Sequence, residues 1–145
     1  MSASDIVNQM FDAFIDGDAD NFFSLVSEDF TFSGPTPEPL DAEGWFGIGR
    51  LMADAFPDLD YGFRVTGEHG DHVHTVTELS GTHTNDFDLT AMGMGVIPAT
   101  GKSFKNAPEE GMAVVEGDQV VAVEINSNPD SGLGAILRQI GVDLG

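Results

Sequence analysis

The chain contains no cysteine, which excludes disulfides, thiolate metal sites and cysteine nucleophiles. Basic residues are nearly as scarce. Arg50, Arg64, Lys102, Lys105 and Arg138 are the whole complement, against 25 acidic residues, and the formal net charge is −20. That balance opposes binding to nucleic acid or an anionic lipid surface, because phosphate recognition depends on basic side chains. There is no apolar run of the ~18 residues that a membrane span requires. The opening MSASDIVNQM lacks the basic start and apolar centre of a secretory signal, and together with the missing cysteine it points to a cytoplasmic setting. Phosphate-cradling glycine loops and a Gly-x-Ser-x-Gly elbow are also missing.

The acids are scattered and do not form a tail, so they read as an evenly charged surface and not as a docking site for a cationic partner. Such a surface repels itself. Added KCl is therefore expected to raise the melting temperature as the repulsion is screened, and a melting temperature that stays flat or falls with salt would contradict this.

At 145 residues with a hydrophobic fraction of 41%, the chain fits one domain, residues 1–145. Such a domain can bury ~70% of its unfolded surface. Ser4 or Asp5 is positioned to cap a first helix carrying Ile6, Met10 and Phe14, which Gly17 ends. Asp18 or Asp20 can cap a short second helix, and in EDFTF the period changes to two, giving a short strand with Phe30 and Phe32 on one face. Pro35, Pro37 and Pro39 make SGPTPEPL an extended loop. Asp41 then caps a third helix with the stripe Trp45, Ile48, Met52 and Phe56, which Pro57 stops.

From Leu59 onward the pattern is strand. Leu59, Tyr61, Phe63 and Val65 alternate with polar residues, EHGDH turns about Gly70, and residues 72–80 return. The glycine of GTHTND is expected to interrupt this strand, with 84–89 continuing it and AMGMGVIPATGK packing as a loop. GMAVV and QVVAVEI form a second hairpin about Gly117 and Asp118, and Leu133, Ile136, Leu137 and Ile140 mark a last helix stopped by Gly141. Helices followed by antiparallel hairpins describe an α+β domain with helices on one side of a sheet. The other sheet face is left for solvent or for a second copy of the chain.

With that element order, GTHTNDF, GVIPATGK, GDQVVAVEI and PDSGLGAILRQIGV resemble the SnoaL-like polyketide (ester) cyclase group of the NTF2-like superfamily, over nearly the whole chain. The resemblance implies a curved sheet wrapped around a deep apolar pocket and closed by three N-terminal helices, with a short C-terminal helix. It further implies a small apolar, oxygenated ligand, and the outer sheet face is expected to form a homodimer. Catalysis would need neither metal nor organic cofactor: a proton leaves a carbon next to carbonyls, and an intramolecular aldol addition closes a ring. The histidine of the Gly-Thr-His motif corresponds to His83. The chain departs from the family pattern at Asn85–Asp86, where a small residue is usual, and at PEEG, where the family acid can correspond to either Glu109 or Glu110.

Removing a proton beside a carbonyl requires a positioned base and a donor for the developing enolate oxygen. His83 is the candidate donor or acid–base partner, set against a plain turn histidine satisfied by Thr82, Thr84 or backbone. Glu110, Glu109 and Asp86 are the candidate carboxylates, with Glu78 behind them, although any of them can be a solvated surface acid. Phe14, Phe30, Trp45, Met52, Phe56, Tyr61, Phe63, Met92 and Met94 are candidate substrate-binding residues that also suit an ordinary core. His72, His74 and Glu78 share a strand parity that two imidazoles and a carboxylate could use for a divalent ion, but the spacing is loose and no metal site is assigned. Two other functions suit the same fold: a non-catalytic ligand-binding or dimerisation module, and an epoxide hydrolase or isomerase drawing on Arg50, Arg64 or Arg138.

Overall fold

The computed structural model describes residues 2–34, 38–90, 93, 95–126 and 130–142. Pro35, Pro37, Met92, Met94 and the side chain of Leu133 lie outside the described residues.

Helix α1 (Ala3–Asp16) starts one cap earlier than expected. Ser2 Oγ accepts the Asp5 N–H, and the Asp5 carboxylate accepts the Ser2 N–H, each at 3.2 Å, which closes a capping box. Ser4 is engaged elsewhere: its N–H and hydroxyl both donate to the Glu68 carboxylate at 2.7 Å. Asp18 caps α2 (Ala19–Leu25) and Asp41 caps α3 (Ala42–Ala55), accepting the N–H of Asn21 and Gly44 at 3.2 and 2.7 Å. The chain then supplies β1 (Val26–Ser33), β2 (Arg64–His69), β3 (His72–Thr77), β4 (Ser80–Thr82), β5 (Phe87–Asp88), β6 (Val96–Ile97), β7 (Ser103–Lys105), β8 (Glu109–Glu116), β9 (Gln119–Asn126) and α4 (Gly132–Gln139).

The main sheet has the order β1-β9-β8-β3-β2, with β1 parallel to β9 and the other pairs antiparallel. Two small sheets, β4–β7 and β5–β6, extend it. On β8 the alternation is clean: Glu109, Gly111, Ala113 and Val115 are buried, whereas Glu110 and Glu116 are exposed. Val73, Thr75 and Thr77 of β3 are buried as well.

Several expectations change. Strand β2 begins at Arg64 and not at Leu59, because Gly62 takes φ +54° and a side chain there would run into the Glu78 carbonyl. Tyr61 and Phe63 nonetheless lean on the core. The break in the return strand falls at Glu78–Leu79, and Gly81 is a paired strand residue opposite Phe104. The predicted glycine-rich loop contributes β6, and SFK, unassigned from sequence, forms β7 and buries Phe104. Strand β1 is longer than EDFTF because Val26 leaves α2 already extended.

Two apolar clusters result. The first unites α1, α2, β1, Trp45 and the inner face of β3, β8 and β9. The second gathers Met52, Ala55, Phe56, Phe87, Leu89, Phe104, Ile136, Leu137 and Ile140.

Arg50 ties α3 to the end of α1. Its Nη2 donates to the Phe14 and Ile15 carbonyls at 3.2 and 3.0 Å, and its guanidinium lies 5.7 Å from the Phe46 ring centre. These carbonyls belong to the last turn of α1, where cations are favoured. Arg50→Ala is expected to cost about 1–2 kcal/mol, with partial recovery in Arg50→Lys. A urea midpoint unchanged in Arg50→Ala would contradict this.

Candidate active site

The hairpin that carries β3 and β8 continues through β4 and β7. Thr77 pairs with Glu109, Gly81 with Phe104, and the His83 N–H donates to the Lys102 carbonyl at 2.9 Å. Thr77, Leu79, Gly81 and His83 keep one parity along this ladder. Leu79 packs on the second cluster, and a side chain at Gly81 would meet Phe104 and Phe56. His83 therefore turns inward: its exposure is 0%, and its ring lies 5.5 Å from that of Phe56.

The loop holding His83 is clasped by the PATGK turn. The Thr100 N–H donates to His83 Nδ1 at 3.2 Å, and Thr100 Oγ1 stands 3.0 Å from the same nitrogen. The Gly101 N–H donates to the His83 carbonyl at 2.9 Å, and the Ala99 N–H to Asp86 Oδ1 at 3.0 Å. His83 Nε2 is buried without a hydrogen-bond partner among the described residues. Burial pushes the His83 pKa below the usual imidazole value, opposed by the negative charge of Asp86 and by the Ile97 carbonyl, which faces the ring without completing a well-formed hydrogen bond. Asp86 itself is exposed.

A second buried polar group lies further along the same face. Glu109 is 5% exposed and accepts a hydrogen bond from Ser131 Oγ at 3.0 Å. Burial raises its carboxyl pKa, and the Ser131 bond only partly offsets this. Thr77 stands across the ladder and Thr75 lies two positions away, opposite Gly111. Thr75 Oγ1 is buried with no partner among the described residues. A methyl at Gly111 would approach Thr75 Oγ1 to 3.0 Å and Ile125 Cδ1 to 2.7 Å, so glycine leaves the hydroxyl its space. Thr75, Thr77 and Ser131 were not singled out from sequence. The available signal was two threonines in HVHTVTEL with the parity of buried Val73.

His83 and Glu109 do not bond each other. Six positions separate Thr77 from His83 on the hairpin, a span of up to about 20 Å if extended. Glu110 sits on the open face of β8, opposite Val76 and Asn126. Glu78 pairs with Arg64 at 3.5 Å.

The candidate lining residues divide between the two clusters. Phe14, Phe30 and Trp45 are buried in the first, where Phe63 stacks on Phe11 at 4.0 Å and Tyr61 meets Phe14 edge-on at 5.7 Å. Burial raises the Tyr61 pKa, with the Arg50 charge in opposition. Met52 and Phe56 belong to the second cluster, the one His83 faces. An open groove of about 640 Å³ runs along α4, lined by residues that include Glu78, Lys105, Pro108, Asp130 and Arg138. It lies outside the buried polar group, although Pro108 and Asp130 immediately precede Glu109 and Ser131.

The residues of the metal reading have other partners. His72 Nδ1 lies 2.6 Å from the Asp71 carboxylate, the His74 ring packs edge-on against His69 at 5.4 Å, and Glu78 is paired with Arg64. Among the described residues no group of three or more His, Asp or Glu is arranged to hold a metal ion, and no helix is long and apolar enough to cross a membrane.

Comparison with known structures gives the same architecture. IdmH of Streptomyces antibioticus, assigned as a polyketide cyclase, is 27% identical, with a TM-score of 0.72 over 98% of this chain and 100% of its own. A SnoaL-like protein from a Jannaschia species, also assigned as a polyketide cyclase, is 18% identical, with a TM-score of 0.72 over 97% and 92% of the two chains. A Catenulispora acidiphila protein with a ketosteroid isomerase-like fold, crystallised with trimethylamine, is 15% identical, with a TM-score of 0.64 over 95% and 93%. No curated protein gives a significant sequence match. The sequence pattern of the SnoaL-like domain matches residues 7–123, which include most of α1, α2, α3, strands β1 to β8, the start of β9, His83 and Glu109. The chain thus belongs to the SnoaL-like domain family and has its NTF2-like, ketosteroid isomerase-like α+β fold.

Proposed function

We propose that the chain, as a single domain over residues 1–145, catalyses proton removal next to a carbonyl, followed by ring closure or isomerisation, on a small apolar oxygenated molecule. The observation that carries this reading is the Glu109 carboxyl, buried on the inner face of the sheet that also carries the Thr75 hydroxyl, unpartnered among the described residues. Desolvation makes a carboxylate a stronger base than it is in water. Glu109 takes the proton from a carbon flanked by carbonyls, and the C–H electron pair becomes the enolate. The Thr75 hydroxyl or the His83 imidazole donates to an enolate or carbonyl oxygen. In ring closure the enolate carbon attacks a second carbonyl carbon of the same molecule, and the new alkoxide takes the proton back from Glu109. The step balances without a co-reactant. Because His83 and Glu109 are spaced along one hairpin, an extended chain bearing several oxygens suits both.

The test is exchange of the α-proton of a β-keto ester in D2O, followed by NMR. The wild type is expected to accelerate exchange, and Glu109→Gln to lose about 10²–10⁴-fold of that acceleration. Glu110→Gln is expected to retain it. Equal rates in wild type and Glu109→Gln would favour a binding module.

The open sheet face suits a homodimer: Met112, Val114 and Ala122 are only half-buried there in the single chain. Sedimentation as a monomer at micromolar concentration would remove that part.

A further inference from the structure

We infer that Thr100 is a positioning residue that fixes His83 as its Nε2–H tautomer, so that the ring offers a ligand oxygen a hydrogen-bond donor and does not serve as the base. This rests on reading His83 as part of the site.

The donor at Nδ1 decides where the ring proton sits. A backbone N–H can only donate, and that of Thr100 points at Nδ1 at 3.2 Å. Nδ1 must then present its lone pair, and a neutral imidazole carries its one proton on Nε2. Turning the ring over would set Cδ2 against the amide and leave the N–H unsatisfied. The Thr100 hydroxyl reinforces the arrangement. Its oxygen accepts the Lys102 N–H at 3.3 Å, which leaves its own hydrogen free to point at Nδ1, 3.0 Å away.

The clasp is rigid for reasons unrelated to the ring. The Gly101 N–H holds the His83 carbonyl, the His83 N–H holds the Lys102 carbonyl, and the Ala99 N–H holds Asp86. The amide of Thr100 cannot turn away without breaking these neighbours. Protonating Nδ1 would oppose the Thr100 amide, so the ring resists the imidazolium form, and burial acts in the same direction. What remains is a buried Nε2–H near Phe56 that makes no well-formed hydrogen bond among the described residues, the Ile97 carbonyl that faces the ring included. A buried donor left unsatisfied is costly, and a carbonyl or enolate oxygen would satisfy it. The division of labour follows: the carboxylate takes the proton and the imidazole holds an oxygen.

Nitrogen-15 NMR of the labelled full-length protein at pH 7 tests this without any substrate. The expected spectrum shows a proton on Nε2, a bare Nδ1, and a coupling across the hydrogen bond between the Thr100 amide nitrogen and His83 Nδ1. Thr100→Ala keeps the amide and should keep the tautomer. Thr100→Pro removes the donor and should let the Nδ1–H form appear; if that variant fails to fold, the wild-type coupling decides. A proton on Nδ1 in the wild type, or a missing coupling to Thr100, overturns the inference.

Its functional half is read from β-keto ester exchange. His83→Gln places an amide donor near the position of Nε2 and is expected to stay within about tenfold of wild type, whereas His83→Ala falls further. Equal loss in both variants overturns the donor role. The tautomer measurement does not depend on activity, so a failure of the proposed reaction and a failure of this inference are distinguishable.

Discussion

Trp45→Ala is expected to remove about 3–5 kcal/mol of stability. Trp45 is 6% exposed and forms the hub of an aromatic stack. Its ring lies parallel to Phe32 at 4.8 Å, to Phe14 at 4.3 Å and to Phe30 at 5.5 Å, and meets Phe11 and Phe22 edge-on at 5.5 and 5.8 Å. Each such pair adds about 0.5–1.5 kcal/mol beyond the area it buries. Helices α1, α2 and α3 and strand β1 all contribute rings, so a cavity there cannot collapse without moving several elements. Against a domain stability of roughly 5–15 kcal/mol, the loss is a large share. Urea titration should show a lower midpoint at an unchanged slope. A loss below ~1 kcal/mol would mean that Trp45 walls a ligand space and does not hold the core.

Glu109→Gln is expected to do the opposite to stability while abolishing turnover. Burial raises the Glu109 carboxyl pKa in the fold above its unfolded value of about 4.3. The folded protein therefore holds the proton more tightly than the unfolded chain. The stability this contributes is complete below pH ~4.3 and is lost as pH rises through the folded pKa. Glutamine carries no charge to bury and can still accept the Ser131 hydrogen bond. The variant should melt above wild type at pH 8 and level with it at pH 4. His83 has the reverse sign. Its lowered pKa means that stability is present above the unfolded value of ~6.5 and is lost as pH falls below it. The Glu109 effect is thus best read above pH 7, where His83 is neutral in both states. A more stable but inactive variant is the usual mark of a group kept for chemistry at a cost to the fold. A variant that is less stable at pH 8 would mark Glu109 as a structural anchor.

Much of this architecture was legible in the residues. Helix periodicity located α1 and α3, Gly17 and Asp41 marked the end of the one and the start of the other, Asp18 marked the start of α2, and Gly141 lies just past α4. Val73, Thr75, Thr77 and His83 lie on one parity and are all buried, because the break at Glu78–Leu79 does not shift the alternation. The choice between Glu109 and Glu110 was not legible, and the reason is local. In EEGMAVVE both parities are apolar, with Ala113 and Val115 on one side and Met112 and Val114 on the other, so a one-residue slip leaves no trace in the sequence. The interior set of Thr75, Thr77 and Ser131 was hidden for a different reason. Threonine in a strand is ordinary on either face, and Ser131 reaches Glu109 across 22 residues. Strand β7 escaped because three residues with a lysine at the end give too short a period to read, although Phe104 anchors the second cluster.

The most direct measurement is a carbon-13 titration of the Glu109 side-chain carboxyl, assigned by its loss in Glu109→Gln. A base shielded inside the curved sheet should ionise above the ~4.3 of a free glutamate and shift when a β-keto ester is added. An ordinary titration, indifferent to that ester, would leave this family member without the buried carboxylate on which its proposed chemistry depends.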